Sequence, residues 1–94
     1  MQPDRPLNYY IAKLMKQLDM GQFASEEEVR RVYHYLTGDL IYKLTTLLRY
    51  RDGVLKLRFA AAALRQEMTY RRESLREKIN SELKGEVVKK IVIL

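Results

Sequence analysis

The 94-residue chain has no cysteine, no tryptophan and a single histidine, His34. Without a thiol there is no disulfide, no thiolate nucleophile and no redox couple, and a lone imidazole cannot furnish the several N or S ligands of a structural zinc site. The N-terminal residues MQPDRPLNYYIAKLMKQLD lack the run of about 7 to 15 apolar residues that forms the centre of a signal peptide. Nowhere does the sequence reach the roughly 20 apolar residues of a membrane span. A cytoplasmic location and no membrane partner are the expectation, and with no nucleophile–base pairing in view, neither an enzyme nor a cofactor is expected. What is present is 47 % hydrophobic residues. That suffices for one small domain over residues 1–94, which at this length buries roughly 60 to 65 % of the unfolded chain's surface.

Charge is unevenly placed. Residues 1–42 carry five basic and six acidic side chains, including the run Glu26-Glu27-Glu28, whereas residues 43–94 carry thirteen basic and six acidic ones, for net charges of −1 and +7. A one-signed field over part of a small domain points to an anionic partner, or else to a merely solubilising face.

Hydrophobic spacing gives the elements. Leu7, Ile11, Leu14 and Leu18 form a helical stripe that Gly21 ends. Ser25 with Glu28 reads as a capping box, opening a second helix with Val29, Val32, Tyr33 and Leu36 buried. The three glutamates suit the positive end of that helix dipole better than they suit a metal or catalytic cluster. Gly38 predicts a kink, after which Leu40, Ile41 and Leu44 resume the stripe.

At Thr45 the period changes to two. Residues 45–51 and 54–60 flank Asp52-Gly53, a pair able to take positive φ at both positions of a tight hairpin turn. The turn sets the register, placing 51 opposite 54, 49 opposite 56 and 47 opposite 58 on one face, and 50 opposite 55, 48 opposite 57 and 46 opposite 59 on the other. Thr46, Leu48, Tyr50, Leu55, Leu57 and Phe59 then face the core. Arg49, Arg51, Lys56 and Arg58 face outward with Thr45, Leu47, Val54 and Ala60. Cross-strand neighbours lie about 5 Å apart, so Arg49 beside Lys56 is tolerable only in water or against an anion.

Residues 61–84 read as one long helix with Ala61, Leu64, Met68, Leu75, Ile79 and Leu83 on one side, Arg72 laying its stem along that stripe, and Gly85 stopping it. Residues 86–94, β-branched and apolar, read as a third strand. The expected fold is α+β, in the order α-α-β-β-α-β, a two-layer domain with a three-stranded sheet and helices packed on one face.

Residues 33–94 resemble the DciA-like proteins of bacteria. The matching features are Gly38, Ile41 and Thr45-Thr46; Arg51 with Val54-Leu55; Leu64-Arg65, Glu67-Met68, Arg72-Glu73 and Ile79-Asn80; and Gly85 with Ile91-Val92-Ile93. The resemblance implies a KH-like fold and a protein that binds nucleic acid and serves the replicative helicase during loading on DNA. The family's usual Trp-Pro is Tyr33-His34 here, and its Ser-rich helix start is residues 60–63, all alanine. The Gly-x-x-Gly backbone clamp of KH domains is missing, since Gly21, Gly38, Gly53 and Gly85 are never three apart. Longer members of the family carry a basic tail, which the resemblance implicates in helicase contact.

The nucleic-acid-binding residues expected from the pattern are therefore Arg49, Arg51, Lys56 and Arg58 on the outer hairpin face, with Lys90 (or Lys89) from the last strand. Such cations neutralise phosphates without reading sequence, and DNA is favoured over RNA by the resemblance alone. Of the seven tyrosines, Tyr33 and Tyr50 fall on apolar faces, while Tyr9, Tyr35, Tyr42 and Tyr70 remain available for base stacking or ordinary packing. The alternative is a protein-interaction adaptor or homodimer: with Ile91 and Ile93 inward, Val92 and Leu94 point out beside Leu47 as an apolar partner-binding patch at a strand edge.

Overall fold

A computed structural model describes residue 10 and residues 24–94. The expected first helix, apart from a helical Tyr10, lies outside the described residues. Helix α1, Glu26–Leu44, starts at Ser25, whose Oγ accepts the Glu28 N–H at 3.1 Å. The Glu28 carboxylate in turn engages the Ser25 hydroxyl at 3.3 Å. Val29 and Tyr33 are buried, with Val32 and Leu36 packed beside them. At Gly38 the backbone leaves the helix (φ 86, ψ 171), a left-handed conformation that glycine adopts without a Cβ clash. The kink resets the phase: Ile41 still packs on the core, but Leu40, expected there, is 72 % exposed.

Strands β1, Thr45–Arg51, and β2, Val54–Phe59, pair antiparallel around Asp52 (φ 53) and Gly53 (φ 82). Their register is the expected one from Arg51 opposite Val54 back to Leu47 opposite Arg58. Beyond that the pairing slips, and Thr45 rather than Thr46 lies opposite Phe59. The cause is Thr45, whose hydroxyl donates to the Ile41 carbonyl at 2.7 Å and shares a 2.8 Å hydrogen bond with the Tyr33 hydroxyl. That bulge turns Thr45 inward and leaves Thr46, expected in the core, exposed.

The expected long helix is two: α2, Ala62–Tyr70, and α3, Arg72–Leu83, divided at Arg71 (φ −91, ψ 4). Met68, Leu75 and Ile79 are buried as expected, and Leu64 and Leu83 pack beside them. Arg72, freed by the break, is exposed instead of lying along the stripe, and so is Ala61, the uncapped residue before α2. The left-handed residue that ends α3 is Lys84 (φ 58), not Gly85.

Strand β3, Lys90–Ile93, is shorter than expected, because Val87 and Val88 are buried in irregular chain ahead of it. Buried Asn80 makes that possible. Its Nδ2 donates to the Val88 carbonyl at 2.8 Å and its Oδ1 accepts the Val88 N–H at 2.7 Å, satisfying backbone groups that a strand would otherwise pair.

The sheet order is β1-β2-β3, with β3 parallel to β2 and Leu55 beside Ile91. The fold of the described residues is thus α+β, with three helices and a three-stranded sheet. Leu48, Leu55, Leu57, Phe59 and Ile91 form the sheet's inner face and share one core with residues of all three helices. Burying each such side chain contributes about 1.5 to 3 kcal/mol. No helix of the described residues is long and apolar enough to cross a membrane.

Candidate nucleic-acid interface

Because β-strand side chains alternate, burying Leu48, Leu55, Leu57 and Ile91 forces their neighbours onto the opposite face. Three rows cross that outer face: Leu47 with Arg58; Arg49 with Lys56 and Val92; Arg51 with Val54 and Lys90. All five cations expected at the site are therefore brought together, and all are exposed. Lys89, the other reading, belongs to the turn, its stem packing over Gly53 within 3.2 Å of where a Cβ would stand.

Two of the five cations have carboxylate neighbours. Arg51, 92 % exposed, lies 3.8 Å from the equally exposed Asp52, an arrangement worth little in water. Arg49, 68 % exposed, lies 3.8 Å from Glu26. Lys56, Arg58 and Lys90 make no ion pair among the described residues. Arg49 and Lys56 lie directly opposite on neighbouring strands, about 5 Å apart, and five cations against two flanking carboxylates leave the face with a net positive field.

Glu26 borders this field and was not legible as part of it. One of its carboxylate oxygens accepts the Tyr50 N–H at 3.0 Å and the other faces Arg30 at 3.5 Å. Arg30 also donates to the Leu48 carbonyl at 3.2 Å. At Leu48 and Tyr50 the free edge of β1 is thereby satisfied by side chains from the first two turns of α1. The Tyr50 N–H, aided by Arg49 and Arg30, holds the Glu26 carboxyl below its ordinary value. The contact spans 24 positions, and no local pattern announces it. Glu26 also lines, with Arg49, Arg51, Asp52 and Lys56, a shallow cleft of about 560 Å³ at one end of the cation rows.

The aromatic rings lie elsewhere. Tyr33 is buried and Tyr50 turns inward, donating to the Val87 carbonyl at 2.7 Å; burial raises the pKa of both hydroxyls. Tyr42 stacks on His34 at 3.9 Å, and His34 Nε2 lies 2.7 Å from Asp39. Tyr35 and Tyr70 are exposed on helices, and Tyr9 is outside the described residues. The outer sheet positions thus carry charge and aliphatic side chains with no ring on which a base could stack.

The expected apolar patch is divided. Val92 lies beside Lys56 on β2, and Leu47 lies across β2 on β1, opposite Arg58. The central strand's cations separate the two, so Val92 and Leu94 are not beside Leu47. Leu94 instead borders a groove with α2.

Compared with known protein families, the chain matches one model, described as DciA, Dna[CI] antecedent, over residues 6–93. No curated protein and no solved structure gave a match. With the family model spanning nearly its whole length, the chain belongs to the DciA family.

Proposed function

We propose that this member of the DciA family is a non-enzymatic nucleic-acid-binding module: a single KH-like domain that grips the phosphate backbone with the outer face of its sheet and, by family association, assists the replicative helicase in DNA replication. The observation that carries the reading is the gathering of Arg49, Arg51, Lys56, Arg58 and Lys90 on one exposed face, three of them without a carboxylate partner among the described residues. Exposed cations on a twisted, aliphatic surface neutralise phosphates and release counterions but read no base edge. With no ring among the outer sheet positions and no Gly-x-x-Gly clamp in the sequence, affinity rests on charge, which suits a factor acting at any sequence. DNA is the favoured substrate because the family acts on DNA; the cations themselves do not read the sugar.

Replacing Arg49, Arg51, Lys56 and Arg58 together by glutamate tests this. Binding of a labelled single-stranded oligonucleotide should fall by at least about a hundredfold, with an unchanged circular-dichroism spectrum. Retained binding by a folded variant would place the nucleic acid elsewhere.

A further inference from the structure

A single strand of nucleic acid has two sides, a phosphate backbone and a row of bases, and a protein surface can hold either. The outer face of the sheet offers contacts to only one of them. Its five cations are all exposed, and the side chains between them are aliphatic: Leu47, Val54 and Val92. Holding bases would take rings or enclosed pockets among these cations, and the described residues supply neither there. Tyr50, on β1 itself, faces inward with its hydroxyl committed to the Val87 carbonyl at 2.7 Å. The most exposed rings among the described residues, Tyr35 at 76 % and Tyr70 at 82 %, stand on α1 and α2, which pack against the inner face. The cleft at one end of the cation rows is shallow, and Glu26 on its wall already engages the Tyr50 N–H, Arg30 and Arg49. Guanidinium planes can stack on bases, but a phosphate offers them charge-assisted, bidentate hydrogen bonds and takes precedence.

Resting on the polyanion reading above, we propose that this face holds a single strand backbone-inward, with its bases turned to water, and that the protein thereby accelerates the annealing of complementary strands. Two strands approach each other against the repulsion of their phosphates. The cations offset that repulsion over the stretch they cover, and bases left outside the contact are free to pair while the strand is held. A stacking interface does the reverse, since a base lying on an aromatic ring is withheld from its partner. Duplex formation leaves the held phosphates in place, so binding and pairing do not oppose one another.

The test uses the whole chain at low salt, with strand binding followed by fluorescence anisotropy in the same samples. Complementary oligonucleotides of mixed sequence, labelled for energy transfer, should anneal about tenfold faster when one of them is preloaded with the protein, and the gain should vanish at high salt. Permanganate should oxidise thymines of the bound strand within about twofold of the free rate, whereas stacked bases would be protected about tenfold. A base-free strand of tetrahydrofuran sites should bind within about threefold of a thymidine strand of equal length, because losing even one stacked base costs about fivefold or more. Tyr35→Ala combined with Tyr70→Ala should alter none of these readings. Protected thymines, or a bound strand that anneals no faster than a free one, would overturn the inference while leaving the polyanion face in place. Failure of the base-free strand to bind, or of every strand, would overturn both.

Discussion

The inner and outer faces of the β1–β2 hairpin alternate residue by residue along the same backbone, yet they answer to different forces. Inward, Leu48, Leu55, Leu57 and Phe59 are buried against helices, and Thr45 and Tyr50 have specific hydrogen-bond partners. Outward, Arg49, Arg51, Lys56 and Arg58 are exposed, and their only carboxylate neighbours among the described residues stand 3.8 Å away. Burial fixes the first face and leaves the second free to carry charge that the core does not require. Function and stability should then respond to different substitutions one residue apart.

The adjacent pair Leu57 and Lys56 gives the largest contrast. Leu57→Ala removes a fully buried side chain and should cost about 2 to 5 kcal/mol in urea denaturation. Lys56→Ala should stay within about 0.5 kcal/mol while weakening oligonucleotide binding. Similar losses of stability at both positions would erase the distinction between the faces. A smaller effect is expected at the turn that sets their register. Gly53→Ala puts a Cβ at φ 82 and within 3.2 Å of the Lys89 stem, costing about 1 to 3 kcal/mol. An unchanged denaturation midpoint would mean that the left-handed turn is not under strain.

Glu26 joins the two faces and gives the most graded response. Its folded-state pKa lies below the ordinary value of 4.5. Its ionised form therefore stabilises the native state above that value, and the contribution is lost as pH falls through the lowered folded value. Glu26→Gln should reduce stability at neutral pH and flatten the acid limb of the stability profile below about 4.5. The same substitution removes a negative charge beside Arg49 and should strengthen oligonucleotide binding a few-fold at low salt. Weaker binding would show that Glu26 instead orders the arginine for its partner.

The hairpin was the most legible part of the fold, because Asp52-Gly53 sets the pairing locally and alternation then assigns every side chain a face. Alternation failed at Thr45, where a long-range hydrogen bond to Tyr33 inserts a bulge that period-two reasoning presumes absent. The break at Arg71 was hidden for a different reason: Tyr70-Arg71-Arg72 holds neither glycine nor proline, and the stripe from Met68 to Leu75 continues across it. Val87 and Val88 looked like strand because β-branched residues suit strands, whereas Asn80 pairs the Val88 backbone from a helix and the Tyr50 hydroxyl takes the Val87 carbonyl. Site composition was legible for the same reason as the hairpin, and Lys90 was placed only once the register of β3 against β2 was known. Glu26, acting across 24 positions, had a sequence signal only for its helix.

A salt titration of single-stranded oligonucleotide binding tests the polyanion face most directly. With four or five phosphates engaged by Arg49, Arg51, Lys56, Arg58 and Lys90, log K against log salt should fall with a slope of roughly −3, and Lys56→Gln with Arg58→Gln should reduce its magnitude by about 1.4. A slope near zero, or one that the double substitution leaves unchanged, would contradict it.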